Sequence, residues 1–421
     1  MSTRQLKVGL LGCGTVGRGL VELVARNQSL VRDRTGVELA ITKILVRDLA
    51  KPRPGVDPSL LTTEPERVLN NGCDLVVELV GGIEPARSFI QQSLDSRKHV
   101  VTANKALLAQ DGLSLMRTAE KKKVRLGFEG SVCGGIPIIR ALRNGLVGNK
   151  IQKISGILNG TCNYILTRMA EEGTEFTDAL REAQAKGFAE ADPTLDIDGH
   201  DAAQKLKILA ELAFNTPVSA EAIVVEGIRS ITAADIKATR ELGYVIKHVA
   251  TAEMLDGGLS LRAEPALLPS SHQLAGVRNE NNAVLVCGDA VGEMLFSGKG
   301  AGSLPSASAV LSDVIDIACH QGGFSVTQSD TMNVALRDYP SRYYLRFDVG
   351  DPSAIGPITT TLERNGIGVA SAAAVWSKNG SAFHQVRVLT HAVPRDTIDP
   401  ALQALKGKVA LGGHLVLRVA D

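Results

Sequence analysis

Lys7-Val8-Gly9-Leu10-Leu11-Gly12-Cys13-Gly14-Thr15-Val16-Gly17 decides how the first part of the chain folds. An apolar strand, Lys7 to Leu11, runs directly into a Gly-x-Gly-x-x-Gly turn, and a helical run, Arg18 to Arg26, follows it. In that strand-turn-helix setting the spacing reads as a dinucleotide fingerprint rather than a merely structural glycine turn. Gly12 permits the tight turn, Gly14 lets backbone approach a pyrophosphate, and Gly17 packs helix on strand; Thr15 and Val16 lie where the helix N-terminus meets the phosphates.

The next strands extend this unit. Glu38 to Val46 ends in Arg47 and Asp48, with Lys51 and Arg53 beyond. An acid here holds a ribose 2′-hydroxyl and an arginine holds a 2′-phosphate, so Arg47 and the basic excess favour NADP over NAD. Strands at Asp74 to Val80 and His99 to Thr102 end in Gly81-Gly82 and Ala103-Asn104-Lys105. Both loops belong at the carboxyl ends of a doubly wound sheet, which makes Lys105 a site candidate; the alternative is a solvated lysine opening a helix. Val124 to Phe128 is a further strand, leading into Glu129 and a glycine-rich bend to Pro137. A carboxylate beside such a bend can serve a hard cation, although a turn that hands the chain to a second domain explains it as well.

From Ile151 a strand passes through the small-residue turn Gly160-Thr161 into a helix. The turn offers backbone groups to a substrate ammonium or carboxylate. Residues 187 to 205 then carry five carboxylates, Glu190, Asp192, Asp196, Asp198 and Asp201, and close on Lys205. Such a run is often a solvated loop and helix start. The helix expected over about 199 to 214 argues for more, with Asp198 as its N-cap. At about 100° per residue, His200, Gln204, Lys207 and Glu211 form the wet stripe and Ala202, Leu206, Leu209 and Ala213 the buried one. Asp201 and Lys205 fall between, one turn apart, which predicts a partly desolvated lysine with a carboxylate partner. Burial lowers a lysine pKa while a carboxylate raises it again, so the pair can be poised for proton transfer.

Strand-like segments at 224–228, 249–254, 259–267 and 283–287 suggest a mixed sheet. The glycine-rich run Phe296 to Pro305 precedes a helix over 306–319 that is expected to return to the first domain, bringing Gly300 to Gly302 over the cofactor. Residues 323–341 read as a linker, and 342–421 as a strand-helix-strand-strand-helix-strand module.

Composition narrows the partners. Lys and Arg number 46 against 45 Asp and Glu, without like-charge blocks, so nothing invites nucleic acid or a membrane surface. No apolar run reaches a membrane-spanning length. The six cysteines lack a CxxC pair, so neither a zinc site nor a disulfide framework is suggested, and a reducing cytoplasm fits.

The motifs together resemble the bacterial homoserine dehydrogenase family with a C-terminal ACT domain. The likeness lies in Gly12 to Gly17, Val101-Thr102-Ala103-Asn104-Lys105, Val132-Cys133-Gly134-Gly135-Ile136-Pro137, Gly160-Thr161-Cys162-Asn163-Tyr164-Ile165, Gly187 through Lys205, and Gly300-Ala301-Gly302. It implies a Rossmann domain (1–130 with about 303–322), an α+β catalytic and dimerisation domain with a mixed sheet (131–302), and a βαββαβ ACT domain. It implies interconversion of L-homoserine and L-aspartate 4-semialdehyde with NADP or NAD, in a homodimer or homotetramer. By that likeness Lys205 is the proton donor, with Asp201 beside it as a substrate contact. Lys105 stands between substrate and cofactor, and Glu190 anchors the substrate ammonium near Gly160, Thr161 and Phe188. Gly187 and Gly302 match cofactor contacts, and Asp196 is a supporting partner. Glu129, with the carbonyls of Val132, Gly134 and Ile136, matches a structural sodium (Na+) site. The ACT resemblance suggests threonine as effector, although Ser353 stands where that module's turn usually has glycine. Two other readings share these features: a regulatory protein that binds NAD(P) and an amino acid without turnover, and a dehydrogenase for another amino-acid semialdehyde.

Overall fold

The computed structural model describes residues 4–256, 258–319, 339–376, 384–406 and 409–420. Six strands, β1 (Arg4–Leu11), β2 (Val37–Leu45), β3 (Leu61–Thr62), β4 (Leu75–Glu78), β5 (His99–Thr102) and β6 (Leu126–Gly127), form a parallel sheet in the order β3-β2-β1-β4-β5-β6. The order reverses between β1 and β4, which opens a crevice at their carboxyl ends, where ligands of such sheets bind. Alternation explains why β1 lies inside. Leu6, Val8 and Leu10 enter one core with Leu20, Leu23 and Val77, whereas Leu11 turns to the other face beside Val68 and Val76.

The helix Ser303–Cys319 completes this unit from far along the chain. Its Ala307, Val310, Leu311, Val314 and Ile317 fill the same core as Val8 and Leu10, and Asp316 pairs with Arg125 at 2.5 Å. This helix begins three residues earlier than its apolar pattern suggests, and the first part of the glycine-rich run before it is strand. Glycine content misled there: Phe296 and Ser297 pair with Val284 and Ala283 across a hairpin.

The second sheet is mixed. Its strands are β7 (Ile151–Ile157), β8 (Val224–Val225), β9 (Tyr244–Leu255), β10 (Gly258–Pro269), β11 (Asn281–Gly288) and β12 (Gly292–Lys299), in the order β12-β11-β7-β9-β10 with β8 alongside β10. The helix His200–Phe214 covers one face, where Ala202, Leu206 and Leu209 join Ile154, Ala250, Ala252 and Leu261.

Four more strands, β13 (Tyr343–Val349), β14 (Val369–Val375), β15 (His384–Thr390) and β16 (Leu411–Val419), with helices Ile355–Arg364 and Ile398–Lys406, make a βαββαβ module. Its sheet continues the second one: β16 lies parallel to β10, with Ala266 opposite Arg418 and Leu267 opposite Val419. A buried ion pair, Arg346 with Asp235 of the helix Ala233–Glu241, ties the module to the layer beneath. Of the expected linker, residues 323–338 lie outside the described residues.

Candidate active site

The crevice of the first sheet is a cleft of about 800 Å³ lined by Gly12, Gly14, Thr15, Arg18, Arg47, Arg53 and Gly81, among others. Gly12 has φ +98°, and a Cβ there would lie 2.6 Å from the Leu79 carbonyl oxygen, so only glycine lets β1 turn against β4. Arg47 is exposed at the rim. The Asp48 carboxylate is occupied in its own turn, accepting from the Ala50 N–H at 2.8 Å. Gly302, at φ +123°, sits beside the same turn, because the Ser303 hydroxyl donates to the Thr15 carbonyl at 2.8 Å.

Lys105 opens the helix Lys105–Lys122, and its placement is built from β4 and β5. Glu78, fully buried, accepts from the Val80 and Gly81 N–H groups at 2.7 and 3.0 Å and from the Thr102 hydroxyl at 2.6 Å. The Thr102 hydroxyl in turn receives the Asn104 N–H at 3.0 Å, and Asn104 caps the helix through the Leu107 N–H at 3.2 Å. Lys105 therefore leaves the parallel sheet on a fixed helix end. It reaches across to the second layer.

There Asp201 receives it. Lys105 Nζ lies 2.7 Å from Asp201 Oδ1, and Lys205 Nζ lies 2.7 Å from Asp201 Oδ2. Lys205 also donates to the Leu158 carbonyl at 2.7 Å. Asn159 donates through Nδ2 to Asp201 at 2.8 Å and to Asp196 at 2.7 Å, while its Oδ1 caps the helix Gly160–Glu172 through the Cys162 N–H at 2.7 Å. Asp201 and Lys205 are 4% and 9% exposed, so both charges are desolvated and depend on each other. Burial alone would raise the Asp201 carboxyl, but the ammonium groups of Lys205 and Lys105 override it and hold it well below the usual carboxylate range. Burial would lower Lys205, and the Asp201 charge outweighs that, leaving the amine above its ordinary value. The balance expected from the sequence thus settles on the ammonium side. Asp196 is pushed up, chiefly by burial.

The acidic run does not act as one group. Thr161 bridges it, donating to the Phe188 carbonyl at 2.6 Å with Asp196 Oδ2 at 3.2 Å. Gly187 takes φ +75° at the bend before Phe188. Glu190 stays outside the cluster: its side chain is exposed, and its carbonyl accepts from Gln184 at 3.1 Å. Asp192 accepts from the Thr194 N–H at 3.1 Å as part of the loop. The expectation for Asp198 is corrected. Gly199, in the left-handed region at φ +87°, is the N-cap, and Asp198 faces away to pair with Arg229. Glu211 is also misplaced by helix phase alone, being buried where it pairs with Lys207 and accepts from the Val218 N–H at 3.1 Å.

Glu129, Val132, Gly134 and Ile136 are buried together. Each oxygen of Glu129 accepts one backbone N–H, from Ile139 and Arg140 at 2.8 Å, so the carboxylate caps the helical turn that begins at Ile138. Burial pushes this carboxyl up. The Ile136 carbonyl already accepts the Ile138 N–H at 2.8 Å. Among the described residues no group of three His, Cys, Asp or Glu side chains forms a metal cluster, and no helix is long and apolar enough to cross a membrane.

The residues that sequence reasoning missed are amides. Asn159 and Asn104 carry an N-cap signal, Asn ahead of a helical run, but nothing local announces that Asn159 also binds Asp201 from 42 residues away.

Comparison with known proteins agrees with this layout. Residues 12–129 match the family model described as homoserine dehydrogenase, NAD binding domain, and residues 137–315 match the homoserine dehydrogenase model. The chain is 38% identical to a homoserine dehydrogenase of Pseudomonas aeruginosa, covering 98% of each chain. It superposes with a TM-score of 0.92 and 39% identity on the crystal structure of a homoserine dehydrogenase from Thiobacillus denitrificans, over 99% of both chains. A hyperthermophilic archaeal homoserine dehydrogenase mutant in complex with NADPH matches 75% of this chain and 98% of its own, at 28% identity and a TM-score of 0.64. With a parallel nucleotide sheet joined through Lys105 to a buried Asp201–Lys205 pair, and relatives this similar over the whole length, the chain belongs to the homoserine dehydrogenase family.

Proposed function

We propose that the protein interconverts L-homoserine and L-aspartate 4-semialdehyde with NADP or NAD, and that Lys205 is its acid and base. The observation that carries this reading is the Lys105–Asp201–Lys205 bridge between the nucleotide sheet and the mixed sheet. When bound, the nicotinamide supplies or receives a hydride at C4. The chain's residues do the rest. An ammonium has three N–H groups, and Lys205 spends two on Asp201 and Leu158, which leaves one for the substrate oxygen. In the reducing direction that proton meets the charge developing on the carbonyl oxygen; in the oxidising direction the amine takes it back. Lys105 adds positive charge near the same oxygen, and Asp201 orients both lysines through its two oxygens. Glu190 holds the substrate ammonium, with Gly160, Thr161 and Phe188 around it. The exposed Glu190 side chain reaches the ammonium by an inward fold of the 187–193 loop on binding.

Arg47 favours NADP, since its exposed side chain at the rim of the cleft can meet a 2′-phosphate. A sodium ion on Glu129 and the Val132, Gly134 and Ile136 carbonyls would neutralise a buried carboxylate and act structurally. Sodium that leaves the melting temperature unchanged removes it. We read residues 1–130 with 303–322 as the cofactor domain, 131–302 as the catalytic and dimerisation domain of a homo-oligomer, and 342–421 as an ACT domain with threonine as effector. Calorimetric titration with threonine tests the last point, and absent heat reduces the module to a structural element. The activity itself is tested by following reduced nicotinamide with L-aspartate 4-semialdehyde against other aldehydes, using both cofactors. Equal or faster turnover of another aldehyde overturns the substrate assignment.

A further inference from the structure

The Leu158 carbonyl, which receives the Lys205 ammonium, has a second donor. Asn282 on β11 gives Nδ2 to it at 2.9 Å. Asn282 is 1% exposed, and its other nitrogen contact is the Cys133 sulfur at 3.5 Å. The orientation of the amide follows from charge: turned over, it would face one carbonyl oxygen with another. Its Oδ1 has no hydrogen-bond partner among the described residues and is packed between two glycines. A Cβ at Gly300 would lie 2.0 Å from Oδ1, and one at Gly160 would lie 3.5 Å from it. One buried amide thus touches the acceptor of Lys205, the turn that opens the helix Gly160–Glu172, and the Gly300 to Gly302 turn beside the nucleotide cleft.

We propose that Asn282 is a positioning residue for hydride transfer, fixing the Leu158 carbonyl so that the Lys205 ammonium keeps its free N–H on the substrate oxygen. A lysine on a flexible stem needs both acceptors held still, because a misdirected proton costs rate without costing binding. Asp201 is held by Asn159; the Leu158 carbonyl is held by Asn282. A core asparagine whose acceptor end goes unsatisfied is costly, and here the donor end fixes the Leu158 carbonyl in return. Gly300 is glycine because the turn must pass against this amide.

The inference rests on the reading of Lys205 as the acid, and a double-mutant cycle separates the two. Asn282→Ala, near-isosteric Asn282→Leu, Lys205→Ala and the combination of Lys205→Ala with Asn282→Ala are compared for kcat, KM and NADPH affinity by fluorescence, with thermal melting as a check on folding. Loss of one buried hydrogen bond predicts that kcat falls about tenfold in either Asn282 variant, with KM and NADPH affinity within about twofold of the parent. In the Lys205→Ala background, adding Asn282→Ala changes the residual rate by less than about twofold, because the group it positions is gone. Unchanged kcat in a folded Asn282 variant overturns the proposal. So does a further tenfold loss in the Lys205→Ala background, which makes the effect general rather than directed at Lys205. Near-normal turnover of Lys205→Ala alone removes the Lys205 reading and this inference with it.

Discussion

Asp201→Asn removes one charge and little volume from the middle of the site. In the wild type, Asp201 gives one oxygen to Lys105 and the other to Lys205, each at 2.7 Å, with Asn159 at 2.8 Å. An amide offers a single acceptor oxygen, so one lysine faces an NH2 group instead. Loss of a charge-assisted hydrogen bond is worth about 1.5–3 kcal/mol, which converts to a fall in kcat of roughly ten- to a hundredfold. The pH dependence carries more information than the size of the drop. Lys205 lies above its ordinary pKa because Asp201 outweighs burial. Without that charge burial governs, and the amine falls below the lysine norm of about 10.4. Aldehyde reduction by the variant therefore declines with rising pH earlier than in the wild type. Stability follows the same signs. The raised Lys205 contributes fully below its unfolded value and loses that as pH rises through the folded one; the depressed Asp201 contributes above the unfolded carboxylate value and loses it as pH falls. The pair thus supports the fold across neutral pH, and the variant gives up both contributions. Rates of NADPH oxidation with L-aspartate 4-semialdehyde, followed from about pH 6 to about pH 10, read this directly. A variant with wild-type kcat and a superimposable profile would mean that Asp201 does not set the charge of Lys205.

Three further substitutions probe the frame around the site. Arg47→Ala should weaken NADPH about tenfold or more while leaving NADH nearly unchanged, as one charged contact to a 2′-phosphate requires; an equal effect on both cofactors places Arg47 elsewhere. Gly12→Ala should abolish cofactor binding or folding, since its Cβ would lie 2.6 Å from the Leu79 carbonyl at φ +98°, and normal NADPH binding would count against the turn. Arg346→Ala leaves Asp235, fully buried, without its cation. Urea unfolding should show a loss of about 3–5 kcal/mol, and a loss under about 0.5 kcal/mol would mean that the pair does not anchor the C-terminal module.

Much of the architecture was legible because it is periodic. The apolar run before Gly12 follows from a single local pattern, and the helix bearing Asp201 and Lys205 lies within a residue or two of the span its periodicity predicts. The errors come from contacts that local pattern cannot contain. Helix phase put Glu211 with the wet residues, but the turn at Val218 folds over it and supplies a donor. Asp198 precedes a helix and looks like a cap, yet Gly199 reaches the left-handed region more cheaply, and Arg229 waits 31 residues away. Glycine density hid β12, whose pairing with β11 is dictated by the hairpin and not by its own composition. The Asp201–Lys205 pairing was legible for a related reason: a lysine four residues after an aspartate declares itself. Neutral amides do not, and Asn159 and Asn282 become functional only when strand ends bring them beside Asp201 and Leu158.

Lys205→Ala, assayed for reduction of L-aspartate 4-semialdehyde alongside NADPH binding, tests directly whether Lys205 is the acid. A lost general acid predicts a kcat lower by about a hundredfold or more, with NADPH affinity close to that of the wild type. Turnover near the wild-type rate in a variant that folds and binds NADPH would contradict it.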